Sequence, residues 1–153
     1  MKKINNEVRE KIQSYIKNSK DISSLLEGYD LKGENLSNSI IKKLNRYNED
    51  LRGCLFVNSS IGELMTETNL SGCNFDGTNF KGTRFLGRTI LRNASCRNCN
   101  FNEADLNHLD YSKTDFRGSS FCEAIIQVGS MSGHGAIFDK KILELLTRGW
   151  IIN

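Results

Sequence analysis

The chain has no proline among its 153 residues, and only one tryptophan and two histidines. Without proline every residue keeps its backbone N–H, which suits a chain that turns many corners and bonds each segment to its neighbour. No apolar run approaches the roughly eighteen residues of a membrane span, and the start MKKINNEVREKIQ has no apolar signal core. These absences lead us to expect a cytoplasmic protein without a membrane partner. Five cysteines is an odd number, which implies neither a disulfide framework nor a zinc site. With 21 basic and 18 acidic side chains, no strong charge of either sign marks the whole chain.

What is present is a period. Asn69 to Phe85 reads NLSGCNFDGTNFKGTRF and sets Leu70, Phe75, Phe80 and Phe85 five residues apart. A small residue stands two before each aromatic (Cys73, Thr78, Thr83), with Asn or Arg just before it. Neither a helix of period 3.6 nor a strand of period 2 gives this spacing, so the period demands a repeat architecture. A chain turning one corner per unit would point the large residue inward and use the small one to fill the inner corner. Four units would close a roughly square coil of about 20 residues, and coils would stack with β-like bonds about 4.8 Å apart.

This stretch resembles the pentapeptide-repeat family, whose pattern is A(D/N)LXX. Thr78-Asn79-Phe80, Ala104-Asp105-Leu106 and Thr114-Asp115-Phe116 match it best, and looser units extend it over Leu31 to Met131. The resemblance implies an all-β solenoid, a right-handed quadrilateral β-helix. The expected organisation is an N-terminal helical cap over residues 1–28, the β-helix over 29–131, and a C-terminal helical cap and tail over 132–153.

The register slips twice. One residue is missing between Ile61 and Leu70, near Glu63 to Thr66, where Met65 takes the inward place; one is added between Phe85 and Leu91, which keeps Arg88 out of the core. The inward residues then form four columns. The first holds Leu51, Leu70, Leu91, Tyr111 and Met131, and the second Phe56, Phe75, Cys96 and Phe116. The third holds Ile61, Phe80, Phe101 and Phe121, and the fourth Met65, Phe85, Leu106 and Ile126. Each large residue buried this way contributes about 1.5–3 kcal/mol. Cys54, Cys73 and Cys99 fall on small inner positions, Cys122 points outward, and Leu109 crowds a small position beside Tyr111. Between Leu31 and Asp50 the count is loose, and the segment reads either as coil or as helix around Ser39 to Tyr47.

Ile4, Val8, Ile12 and Ile16 put one apolar stripe on a helix running from Lys2 to about Lys17, either a cap over the first coil or a partner-binding helix. A shorter helix should follow, with Asp21 as N-cap, Ile22, Leu25 and Leu26 buried, and Gly28 as stop. At the other end Asp139 should cap a helix from Lys140 to Arg148. Its apolar side, Ile142, Leu145 and Leu146, together with the tail Trp150, Ile151 and Ile152, either folds back on the chain or forms a homodimer surface.

Function is less legible than fold. His108 and His134 have no base or orienting acid in register, Asp105, Asp110 and Asp115 stand where the repeat pattern itself places Asp or Asn, and no phosphate loop is present. We expect no catalysis, cofactor or metal. Arg84, Arg88, Arg92 and Arg97 form a basic run, but Asp76 stacks below Arg97 and can neutralise it, so nucleic acid is not the expected partner. The resemblance brings one known activity, acidic mimicry of DNA toward DNA gyrase and topoisomerase IV. The neutral-to-basic charge disfavours it here. The reading is an interaction or structural module with an unidentified protein partner.

Overall fold

A computed structural model describes residues 1–45, 51–65, 68–85, 88–107, 109–126 and 133–147. The five-residue period becomes a stack of parallel coils. One line of bridges runs Asn35, Leu55, Asn74, Ser95, Asp115, Ile137; a second runs Ser60, Asn79, Asn100, Ser120. Two more run Asn69, Ile90, Asp110 and Arg84, Asp105, Ile125. The residue after each bridge points inward, so the bridges mark four columns. The step from Asn74 to Ser95 carries the added residue between Phe85 and Leu91, and the described segments keep their register across it.

Backbone bonding is vertical. Phe56, Phe75 and Cys96 each donate to the coil above, to the carbonyls of Asn74, Ser95 and Asp115, at 2.7, 2.7 and 2.8 Å. Inside, Phe56 stacks on Phe75 with ring centroids 5.0 Å apart, Phe80 on Phe101 at 4.9 Å and Phe101 on Phe121 at 5.3 Å. Leu51, Leu70, Phe85, Leu91, Cys96, Leu106, Tyr111 and Phe116 are buried beside them, while Ile126 is half-buried. Phe138 extends the second column beyond residue 131, stacking on Phe116 at 4.9 Å.

Several local expectations change. Strand β1 (Lys2–Lys3) pairs in parallel with β2 (Tyr29–Asp30), so helix α1 starts at Asn6 and runs to Lys17. Asn5 caps it, accepting the Val8 N–H at 2.9 Å. Ile4 and Ile12 are buried in the common core, with Val8, Tyr15 and Ile16 packed against it. The second helix is instead a single 3-10 turn over Ser23–Leu25. Asp21 is occupied otherwise: its carboxylate accepts the Ser23 N–H at 3.0 Å and the Lys42 N–H at 3.2 Å, and its backbone bridges to Ile40. Coil stacking therefore reaches back to Asp21. The helical alternative at Ser39 to Tyr47 gives way to strand β3 (Ile40–Asn45), parallel to β4 (Ser60–Met65); residues 46 and 47 lie outside the described residues. Leu44 is buried there, so a bulky residue does occupy a small position.

Helix α2 spans Lys140–Thr147, with Leu146 buried in this chain's own core and Ile142 and Leu145 packed against it. Trp150, Ile151, Ile152, Met131 and His108 lie outside the described residues. Asp139 stands at the start of α2, its carbonyl accepting the Leu143 N–H at 3.0 Å, while its side chain accepts the Gly118 N–H at 2.8 Å and ends the ladder there in place of a backbone carbonyl. No described helix is long and apolar enough to cross a membrane.

Candidate functional site

The candidate surface is the outside of the coils, and what it offers depends on which polar groups the fold itself consumes. Many of the small positions two before an inward residue hold a donor. Thr78, Thr83 and Thr114 each send their hydroxyl to a carbonyl of the coil below, those of Phe56, Ile61 and Leu91, at 2.7 Å. Ser59 and Ser119 do the same toward Leu36 and Cys96, at 3.0 and 2.6 Å. The thiols of Cys54, Cys73 and Cys99 reach Leu31, Leu51 and Phe75 at 2.7, 3.1 and 3.0 Å. Sequence reasoning took these residues only as fillers of the inner corner. The signal it passed over is that most of them are Thr, Ser or Cys, the small side chains that carry a donor.

The cysteines are accounted for in the same way. Cys96 and Cys99 stand at C-x-x-C spacing, which sequence reasoning missed in taking the chain to have no such pair. Yet Cys96 is an inward residue whose burial pushes its thiol up, and the Cys99 thiol is spent on Phe75. Cys122 is exposed, as its place after Phe121 demands.

The position just before each inward residue makes a turn. Asn74, Asn79 and Asn100 each accept, through Oδ1, the N–H two residues on, at 2.9, 3.1 and 3.0 Å; Asp105 and Asp115 do so at 3.0 and 3.2 Å. That is why the pattern favours Asn or Asp there: these side chains mimic a backbone turn from this distance better than Ser or Thr.

Two of these aspartates have a second duty. Asp110 Oδ2 accepts Arg92 Nε at 2.6 Å. Asp115 lies between two guanidiniums, Arg97 Nε at 2.6 Å and Arg117 Nη2 at 2.7 Å. Arg117, and after it Arg97, hold the Asp115 carboxyl well below the usual carboxylate range against the opposing effect of burial. Burial works to raise Asp110 as well, but hydrogen bonds from Ser112 and Arg92 outweigh it and the net shift is downward. The partner of the Arg97 side chain is thus Asp115 in the coil above. Asp76, expected to neutralise it, instead takes the Arg97 backbone N–H at 3.0 Å and the Ser95 hydroxyl at 2.6 Å.

Two after most inward residues the chain turns through a left-handed corner, though not at Lys43 and Glu63 inside β3 and β4. Most of these corners carry glycine or asparagine, and at Gly118 a side chain would also run into Asn98 Oδ1. The exceptions are Glu103 (φ 62), Lys113 (φ 56) and Glu123 (φ 58). His134 is exposed, and among the described residues no group of three or more His, Cys, Asp or Glu side chains could hold a metal ion.

Comparison with known proteins agrees with this construction. The family described as pentapeptide repeats matches residues 64–87, 86–118 and 99–127, with eight copies of the repeat. No curated protein matches the chain. Among solved structures, a pentapeptide repeat protein from the cyanobacterium Cyanothece 51142 is 16% identical, with a TM-score of 0.51 over 70% of this chain and 78% of that one. HetL from Nostoc sp. strain PCC 7120, a pentapeptide repeat protein involved in heterocyst differentiation regulation, is 20% identical over 70% of this chain and 50% of its own, with a TM-score of 0.47. Another pentapeptide repeat protein from Nostoc PCC 7120 is 15% identical over 90% and 98%, with a TM-score of 0.45. At such identities the first likeness speaks to the fold alone.

Proposed function

Because the chain is a pentapeptide-repeat protein, we propose that it acts as a non-enzymatic binding scaffold, a right-handed four-sided β-helix with α1 and α2 as its caps, docking another protein along its coils. The observation that carries this reading is the consumption of the chemistry-bearing groups by the fold. Donors at the inner corners are bonded to the coil below, and the aspartates are held by their own turns and by arginines. A nucleophile or general base needs a free lone pair aimed at a substrate. What the coils present instead is a regular array of exposed side chains on a rigid backbone, the form of surface on which repeat proteins bind their partners. Capture of a saturable protein partner from a lysate of the source cells, mapped by crosslinks to coil residues, is the expected result. Failure to find one by either method counts against the reading.

The acidic mimicry implied by the family is the weaker reading, since Asp110 and Asp115 are each bound to arginine and do not present bare negative charge. Gyrase supercoiling should be unchanged by the purified protein, with or without a quinolone.

A further inference from the structure

Charge is sorted around the upper coils. Arg92, Arg97, Lys113 and Arg117 are all exposed and flank the corner between the first and second columns. Half a coil further round, at the corner between the third and fourth columns, stand Glu103 and Glu123, with Asp105 beside them. No Lys or Arg occurs from Asn98 to Leu109 or from Gly118 to Ile126, so within these coils the acidic corner has no cation of its own. Among the described residues its ion pair comes from the coil below, Lys81 Nζ to Glu103 at 2.9 Å. On the basic side the acids are already engaged: Asp110 by Arg92, and Asp115 by Arg97 and Arg117 together.

Two further observations give the sorting weight. Glu103, Lys113 and Glu123 occupy left-handed corners, where glycine or asparagine would cost less, and these charged exceptions fall on the two opposite corners according to sign. The spacing also matches. Arg97 and Arg117 are equivalent positions one coil apart, and so are Glu103 and Glu123. One stack sets both steps, at about 4.8 Å. A row of arginines, paired with Asp115 and ended by Asp76 below and Asp139 above, and a row of carboxylates with the same repeat sit on opposite sides of one molecule.

We propose that copies of this chain associate side by side, the Glu103 and Glu123 corner of one copy docking on the Arg97 and Arg117 side of the next. The contact is heterologous, so it propagates in open arrays instead of stopping at a pair. Being built of partly exposed ion pairs, it is weak and strongly salt-dependent. The inference rests on the reading of the coil flanks as a docking surface, but it concerns the purified chain alone; failure of self-association leaves capture of another protein to be judged separately.

Sedimentation of the purified full chain over a range of concentrations tests it. At low salt, about 50 mM, the average mass should rise with concentration past that of a pair, and at about 0.5 M it should fall back to one chain, because the Debye length drops to a few ångströms. The variant Glu103→Asn with Glu123→Asn places at both corners a residue that other corners already carry, so it should melt no lower than the parent. It should also weaken association at least tenfold, and Lys113→Glu should weaken it in the same direction. A chain that stays single at low salt overturns the proposal. So does a double variant that associates within tenfold of the parent, or an association that stops at pairs and survives high salt, which would place the contact elsewhere.

Discussion

The lower coils, Leu51 to Phe85, and the upper coils, Arg88 to Ile126, share one architecture and hold it by different means. In the lower coils the inner corners are Cys54, Ser59, Cys73, Thr78 and Thr83, each bonded to a carbonyl beneath it. In the upper coils Cys99, Thr114 and Ser119 are bonded in the same way, but Ala94, Ala104 and Ala124 take that position without a donor, and Leu109 takes it with bulk. The upper coils compensate from outside, with Arg92 on Asp110 and with Arg97 and Arg117 on Asp115. The lower half is tied through its buried face at each of these corners; the upper half is tied there at fewer corners and through its wet face as well. The first kind of tie should be indifferent to salt and pH and the second should not.

What the halves have in common is the aromatic column, so the largest effect should come from cutting it where they meet. Phe101 is fully buried and stacks on Phe80 below and Phe121 above. Phe101→Ala should cost about 3–5 kcal/mol in chemical denaturation, from lost burial and the cavity left behind. A loss near 1 kcal/mol would mean that the halves stand independently and that the column does not join them.

Next in size is the charge tie. Asp115→Asn keeps the turn-forming oxygen but removes the charge between the two guanidiniums. With Asp115 largely buried but both arginines half exposed, the loss should be about 1–2 kcal/mol, after discounting for screening. The pH dependence has a definite sign. The folded carboxyl is held below its unfolded value of about 4, so its stabilisation is complete above that value and is lost as the solution is acidified below it. Urea midpoints measured from neutral pH downward should fall less steeply in Asp115→Asn than in the parent. Equal slopes would remove Asp115 from the account.

Much of this architecture is legible from spacing. Leu70, Phe75, Phe80 and Phe85 impose a period that only stacked coils satisfy, and the added residue before Leu91 can be placed because the alternative buries Arg88. The limits have physical causes. The first coils deviate because β3 and β4 run as six-residue strands, which carry no five-residue signal. Asp21 and Asp139 have the composition of helix caps but are drawn to Lys42 and Gly118 across the stack, contacts some twenty residues away that no local pattern encodes. The partner of Arg97 was missed for a related reason. Asp76 and Asp115 lie one coil below and one coil above it, and the count by coils offers both. As for the outer surface, sequence gives its charges but not which are already spent.

The inner-corner tie is smaller per bond and can be isolated by shape. Thr78→Val keeps the volume of the side chain while removing the hydroxyl that reaches the Phe56 carbonyl at 2.7 Å. The expected loss is about 1 kcal/mol, the usual net value of a buried neutral hydrogen bond. It should be the same at low and high salt, unlike the loss in Asp115→Asn, and a salt-dependent loss would erase the distinction between the two kinds of tie.

The smallest effect is the converse, adding an inner-corner tie at a place where the upper half has alanine. Thr83 stands above Ile61 as Ala104 stands above Phe80, and the Phe56 carbonyl shows that one oxygen can accept both a turn N–H, from Ser59, and the hydroxyl of Thr78. The Phe80 carbonyl accepts the Thr83 N–H at 2.9 Å, and the buried Ala104, at the equivalent corner of the next coil, brings it no second donor. Ala104→Ser should therefore gain about 0.5 kcal/mol, the hydrogen bond being partly offset by desolvating the hydroxyl. A serine without that bond would instead lose 1 kcal/mol or more as an unsatisfied buried group. Because the two outcomes differ in sign, a melting comparison of Ala104→Ser with the parent decides whether the inner corner is a ladder that any donor can join or one that fits only the coils that evolved with it.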